Sequence, residues 1–507
     1  MSKRTRIWLL AGILLLATFF RFYHLTTTPP GLYPDEAMDG VNAQNVAQTG
    51  QFKVYYPEDN GREGLYVNIL AVAFKFHLLP ETAPWSVRFP AAVAGVLTVW
   101  GVYLLLAELF KERDEGYAIA LFASFLLAVS FWHVNFSRIG FRAILAPLFL
   151  AWALYFLIKA FRERHDVYGW LYAALAGAVY SLGFYTYIAY RITPLLLLLF
   201  IPFFRKHPDF WRRALVFLVA VIIVGAPIGL YYAQHPADFF GRTSQISISN
   251  AASPIHDLLV NVGETALMFN FHGDNNWRQN VSGAPQLWWP VGILFLIGIV
   301  LGIIWLTRKP KEENQREILK KHEIRLAKFG LWLIFSWFIL GLLPEMLSDE
   351  GIPHALRSLL AVVPTIIFAA IAGVWLYQIL RDRWNKKLVN AVAIIFLVSV
   401  TVYGYYDYFV MWAQNPNVQG AFSANYVAIG DEINALPAAT QKYIVVNAGG
   451  VIDYGIPVPA TTVMYITNSF IPNAVTQKDV NNIHYLLPDE INQIPIGTPS
   501  DTIFYVN

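Results

Sequence analysis

Asp35 and Glu36 stand side by side in the run Pro29-Pro-Gly-Leu-Tyr-Pro-Asp-Glu-Ala-Met-Asp-Gly40, directly behind the first apolar segment, Ile7 to Leu25. A carboxylate pair at a membrane surface does nothing for insertion. It is well placed to act on a substrate that is half lipid and half polar, and the chemistry open to it is proton abstraction. Basic residues recur near the ends of several other apolar segments: Arg62, Arg88, His133, Arg138, Arg142, Arg191, His354 and Arg357. Guanidinium groups grip phosphate oxygens two at a time. Arg62, Arg138, Arg191, Arg357 and His354 are therefore candidates for binding a donor phosphate, and His272, Asp274 and Arg278 form a possible substrate loop. Plainer readings fit each residue taken singly. An arginine at this depth snorkels, His272 beside Asp274 makes a loop turn, and Asp35 caps a helix from Ala37 to Gln48 with Glu36 in its first turn.

The elements that must position these groups are membrane helices. Of the 507 residues, 56% are hydrophobic and 14% charged, and the mean hydropathy is +0.45, a balance that one soluble globule cannot bury. Apolar runs begin at 7–25 and follow near 84–110, 116–134, 143–161, 168–189, 191–204, 214–232, 288–307, 329–343, 357–379 and 388–406, eleven segments in all. The first follows a basic start but has no Ala-x-Ala-like cleavage site, so it reads as an uncleaved helix. Placing the N-terminus in the cytoplasm puts most of the 37 basic residues in inner loops, among them Arg113, Arg164 and the stretch from Arg308 to Lys328. The C-terminus then lies outside.

Three outer regions are long enough to carry function. The first, about 26–83, holds the acidic pair and two helical patterns, Ala37 to Gln48 and Leu65 to Leu79, expected to lie in the interface. The second spans about 233–287. The third is the tail: the membrane body is expected over 1–410 and a small α/β domain over 411–507, with a helix at Asn425 to Leu436. Its expected strands are Lys442 to Val446, Thr462 to Ile466, Ile483 to Leu487 and Thr502 to Val506. The tail carries no phosphate-binding glycine fingerprint, and its expected role is structural or acceptor-positioning. With no Cys in the chain, disulfides and thiolate metal sites are excluded. No His-x-x-x-His, Glu-x-x-His or Asp-x-Asp spacing points to a metal.

Transfer of a sugar from a lipid phosphate to a hydroxyl suits one base and one set of cations. A phosphate departs without protonation, so the two carboxylates of a glycosidase are not required. The base takes the acceptor proton while cations hold the charge growing on the leaving phosphate. Asp35 fits the first part and the arginines the second. Asp-Glu also occurs at Asp114, Asp349, Asp431 and Asp489, but only Asp35-Glu36 follows the first helix directly.

The run Tyr33-Pro-Asp-Glu-Ala-x-x-Gly40, then Thr49-Gly50, Gly61-Arg-Glu-Gly-Leu-Tyr66, Val87-Arg-Phe-Pro90, Gly95 and Tyr103 resembles membrane glycosyltransferases of the C-type fold. It is most similar to the protein O-mannosyltransferase family (glycosyltransferase family 39) and relatives that transfer aminoarabinose to lipid A. The likeness is close over 7–110 and looser through Ser137-Arg-x-Gly140, Tyr187 to Arg191, Gly273-Asp274 and His354-x-x-Arg357. It implies Asp35 as catalytic base, Glu36 shaping the acceptor site and Arg62 on the donor phosphate, although Glu63-Gly64 stands where relatives often have Pro. It also implies a polyprenyl-phosphate sugar donor and an inverting reaction without metal. No cofactor is expected beyond the lipid-linked sugar phosphate as co-substrate. The expected acceptor is a hydroxyl on protein, lipid or glycan at the outer side of a plasma membrane, with membrane lipids as surroundings and no nucleic acid. The competing classes are a lipid-linked saccharide transporter and a non-enzymatic envelope assembly protein. The choice of sugar and acceptor lies in pocket shape and is not written in any motif.

Overall fold

The structure, a computed structural model, describes residues 1–111, 115–163, 165–308, 317–453, 455–470, 479–480, 482–494 and 502–507. Arg113, Asp114, Arg164 and residues 309–316 of the expected inner loops lie outside them. The chain opens with α1 (Lys3–Phe22), α2 (Pro34–Thr49), α3 (Leu65–Lys75) and α4 (Pro84–Leu109). Among the described residues nine helices are long and apolar enough to cross a membrane: α1, α4, Arg142–Arg162, Asp166–Tyr185, Phe210–Gln234, Trp289–Thr307, Leu326–Met346, Leu359–Arg383 and Lys386–Trp412. Within lipid a helix satisfies its own backbone groups, which is why apolar length predicts these elements well.

The other two expected segments exist but are not regular spans. Gly116–Val129 has 14 residues and stops where Ser130 turns extended, before a short helix Phe131–Phe136 resumes. The 188–204 segment is broken into Ile188–Ile192, Pro194–Leu197 and Phe200–Phe204, with Pro194 and Pro202 each removing a backbone donor. Leu359–Arg383 runs through the centre of the bundle, buried over most of its length. Gly298 lets the helix Trp289–Thr307 approach it closely, because a Cβ there would collide with the Phe368 carbonyl. Phe210–Gln234 exposes Leu215, Leu218, Ile222 and Ile223 at the periphery.

The long loops gather at one end of the bundle. There α2 is buried from Glu36 to Val46, and its polar composition is explained by what it meets. Gln44 donates to the carbonyls of Glu81 (2.8 Å) and Tyr465 (3.0 Å), and Asp39 pairs with Arg62 at 2.9 Å. The C-terminal region lies on α2. Its sheet has the order β6 (Asp479–Val480), β7 (Ile483–Leu486), β3 (Lys442–Val446), β8 (Thr502–Val506). The central β3, buried throughout, runs parallel to both β7 and β8. Two small hairpins complete the strands among the described residues: β1 (Tyr55–Tyr56) with β2 (Arg62–Glu63), and β4 (Ile452–Asp453) with β5 (Ile456–Pro457).

The expected strand at Thr462–Ile466 is instead a helix, Thr461–Thr467. Its β-branched residues favour a strand by propensity, and docking overrides that preference. Thr462 donates its hydroxyl to the Leu32 carbonyl at 2.9 Å, Tyr465 donates to Ala83 at 3.0 Å, and the Tyr465 ring fills the space that Gly40 leaves open.

Candidate active site

The helix α2 begins at Pro34, whose fixed φ and missing N–H suit the first helical position. The N-cap is Tyr33 and no side chain caps the helix, so Asp35 is not the cap; it lies inside the first turn. Asp35 and Asp39, four residues apart, share one face, and both reach a space beside Phe141, Arg142 and Tyr187. Asp35 also lines a cavity of about 600 Å³ whose walls come from the first loop, the segments 141–142, 187–191 and 238–246, Arg278 and Gln279, His354 to Arg357, and the C-terminal region at 448–451 and 458–459.

The β1–β2 hairpin delivers three charged residues to that cavity. Its turn runs through Asp59, Asn60 and Gly61 with φ of +49°, +63° and +80°. Gly61 is required there, since a Cβ would also strike the Tyr55 hydroxyl. Arg62 then donates from Nη1 to the Asp35 carbonyl (2.9 Å) and Asp39 Oδ1 (2.9 Å), and from Nη2 to Asp59 Oδ2 (2.5 Å). It is the centre of an acidic cluster, its terminal nitrogens spent on protein partners, which removes the reason to assign it to a donor phosphate. Asp35 sits well below the molecular surface, partly exposed to the cavity. Burial, and then the charge of Asp59, push its pKa up to about 7 against the pull of Arg62 and Arg278.

Five arginines face this cluster across the cavity: Arg142, Arg191, Arg242, Arg278 and Arg357. Glu63 accepts from both Arg142 Nε (3.1 Å) and Arg191 Nη2 (3.2 Å). Glu350 is shared by Arg357 (3.0 Å) and Arg242 (3.5 Å). Arg278 has no carboxylate partner among the described residues; its guanidinium lies 3.8 Å over the Tyr33 ring and its Nε donates to Asn276 Oδ1. Two carboxylates are shared among four of these guanidinium groups, and even with Asp238 beside them the five arginines leave this wall with an excess of positive charge. Asp238, at the same cavity, accepts the Tyr231 hydroxyl at 2.7 Å. His354 lines the cavity, but burial, then Arg357 and Arg278, lower its pKa to about 3, so it is a neutral imidazole and not the cation its position suggested.

Four other expected site residues are held elsewhere. Glu36 is fully buried and faces away from the cavity. It accepts from Arg88 Nη2 (2.9 Å) and from the Gly140 amide (2.8 Å), while Arg88 also donates to the carbonyls of Pro29 and Gly31. The pair braces α2 against α4. Arg138 does not line the cavity: it donates to the carbonyls of Phe20, Tyr23 and Thr28 and secures the end of α1. Asp274 accepts from the amides of Asn276 (2.7 Å) and Ala355 (2.8 Å), stapling its loop to the segment that carries His354; burial first raises its pKa to about 6. His272 is exposed and outside the cavity. The residues that sequence reasoning missed are Asp59, Arg242, Gln279 and the 448–451 wall. The Asp59-Asn-Gly61 turn behind two tyrosines was a readable hairpin signal; nothing singled out the other three.

A family model described as dolichyl-phosphate-mannose-protein mannosyltransferase matches residues 70–230. Solved structures with a similar fold include the following two. ArnT from Cupriavidus metallidurans, bound to undecaprenyl phosphate, aligns with a TM-score of 0.57 at 14% identity, covering 92% of this chain and 85% of that one. The oligosaccharyltransferase of Archaeoglobus fulgidus, tethered to an acceptor peptide containing the NVT sequon, aligns with a TM-score of 0.54 at 12% identity. That match covers 92% of this chain but spans only 63% of the longer protein. No curated protein matches the sequence.

Proposed function

We propose that this chain, a multi-pass membrane protein with the C-type glycosyltransferase fold, moves a sugar from a polyprenyl-phosphate donor to a hydroxyl acceptor, with inversion and without a metal. The observation that carries the reading is the divided cavity: a carboxylate of raised pKa on one wall and an excess of guanidinium groups on the other. The family model over 70–230 and the likeness to ArnT, whose structure holds undecaprenyl phosphate, support a lipid-linked donor. The donor phosphate lies against Arg278 and its neighbours Arg357 and Arg242. The acceptor hydroxyl enters beside Asp35. As its oxygen bonds to the anomeric carbon from the side opposite the phosphate, Asp35 takes the hydroxyl proton. The carbon–oxygen bond to phosphate breaks, and the polyprenyl phosphate leaves with the electron pair, its charge held by arginines already in place. A base with a pKa near neutrality is matched to this task at physiological pH. The acceptor is a hydroxyl on protein, lipid or glycan, and transfer takes place on the outer side of the membrane.

The test uses purified protein in proteoliposomes with a polyprenyl-phosphate sugar, reading donor binding and glycosylated product by mass spectrometry. Asp35→Asn is expected to bind donor normally and lose transfer by about 100-fold or more, whereas Arg278→Ala weakens donor binding. Undiminished transfer by the Asn variant would sink the mechanism. Movement of the donor across the bilayer with no glycosylated product would favour a transporter.

A further inference from the structure

Asp59 and Asn60 turn the hairpin in left-handed backbone conformations, φ +49° and +63°. Asp and Asn enter this region more readily than other side chains, and two groups beyond the turn hold it in place. One support is Arg62, which holds the Asp59 carboxylate. The other comes from the far end of the chain: Asp453 Oδ2, on β4, accepts the Asp59 amide at 2.8 Å. The flanking residues Val451, Val458 and Pro459 line the same cavity. This contact brings acidic residues together, since Glu58, Asp59 and Asp453 are electrostatic neighbours, with Arg62 the opposing charge. Fold stability alone gives no reason to gather carboxylates here. Asp59 in turn interacts with Asp35 side chain to side chain, and the same Arg62 guanidinium contacts the Asp35 backbone.

We propose that Asp59 is a positioning residue for Asp35 and that Asp453 fixes it from the C-terminal domain, so the base reaches its working geometry only when that domain is docked on the first loop. The proposal rests on Asp35 being the base. The groups facing Asp35 are Tyr33 and Asp39 from its own segment, Asp59 and Arg62 from the hairpin, Arg278 from the 271–287 loop, Arg142 beyond Phe141 and Tyr187 beside it. Of these, Asp59 is the negative neighbour acting most strongly on it. Asp453 is tied to this group through its bond to the Asp59 amide, so its influence on Asp35 passes through Asp59.

The experiment is the pH profile of transfer in proteoliposomes containing the full chain and a polyprenyl-phosphate sugar. Activity of the unmodified protein rises with pH as Asp35 loses its proton. Asp59→Asn removes the negative neighbour, Asp35 then ionises more easily, and the acid limb moves down by about one pH unit. Asp453→Ala frees the Asp59 turn and moves the limb in the same direction by less. Asp453→Asn keeps an oxygen to accept the Asp59 amide and restores the unmodified profile. A structural role alone would lower the rate equally at every pH. An acid limb that stays in place in both Asp59→Asn and Asp453→Ala overturns the proposal even if their rates fall. Should Asp59→Asn fail to fold, the Asp453 pair decides the matter. Full transfer by Asp35→Asn would instead overturn the assignment of the base, leaving the two failures distinguishable.

Discussion

Asp35 and Glu36 are adjacent in sequence and have opposite fates, because successive helical residues point about 100° apart. Glu36 meets Arg88 in a buried, fully paired brace, whereas Asp35 meets a cavity and another carboxylate. The difference has a thermodynamic signature. A carboxyl whose pKa is raised on folding binds its proton more tightly in the folded state than in the unfolded one. Stability therefore falls as pH rises from the ordinary aspartate value, about 4, through about 7. An amide at this position carries no such penalty. Asp35→Asn is expected to melt at a higher temperature than the unmodified protein at pH 8, with the gap closing as the pH approaches 4. Thermal unfolding in detergent at several pH values checks it, and an Asn variant that is less stable at pH 8 contradicts the raised pKa assigned to Asp35. At this scale the sequence revealed residue type and depth, which was enough to pick out Asp35, Arg191, Arg278 and Arg357, four residues that line one cavity. It did not reveal how many partners each would acquire. Arg138 and Arg62 looked like phosphate ligands because carbonyls more than a hundred residues from Arg138, and the Asp35 carbonyl and Asp39 carboxylate that Arg62 reaches, leave no local pattern.

Apolar length announced the spanning helices, and the shortfall came where packing replaces lipid. Gly116–Val129 is too short to span as one regular helix, yet it is largely buried between neighbours, so nothing forces it to be longer. In the C-terminal region β3, β7 and β8 were readable from β-branched and aromatic runs, while Thr461–Thr467 was not, since its conformation is decided by α2 beneath it. The β1–β2 hairpin shows how an element of two-residue strands controls chemistry: its turn sets Asp59, Arg62 and Glu63, and through them both walls of the cavity. Gly61→Ala places a side chain at φ +80° against the Tyr55 hydroxyl and displaces that turn. Small misplacements of reacting groups are costly, and transfer is expected to fall on the order of tenfold to hundredfold, while the membrane helices, which pack chiefly on one another, keep the protein folded. Unchanged turnover with intact expression would mean that the hairpin does not set the site.

The whole molecule is polarised. The first loop, the 271–287 loop and the C-terminal region meet at one end and enclose the cavity; Asn135 donates to the Arg278 carbonyl and Trp412 to that of Trp277, tying these pieces together. The opposite end carries short turns rich in Lys and Arg, such as Arg205-Lys206 and Arg212-Arg213. Positive residues favour the cytoplasmic side, so the cavity end is expected to face outward, where a lipid-linked sugar would meet acceptors that have already crossed the membrane. The chain contains no Cys, so a single introduced thiol reports its own location without background. Asn417, exposed at the cavity end, and Arg205, exposed at the other, are suited to the measurement. In intact cells Asn417→Cys is expected to react with a membrane-impermeant maleimide, and Arg205→Cys only after the cells are permeabilised. The reverse pattern would place the cavity in the cytoplasm. The acceptor would then be a cytoplasmic hydroxyl, and the charge asymmetry of the loops would have misreported which way this protein sits.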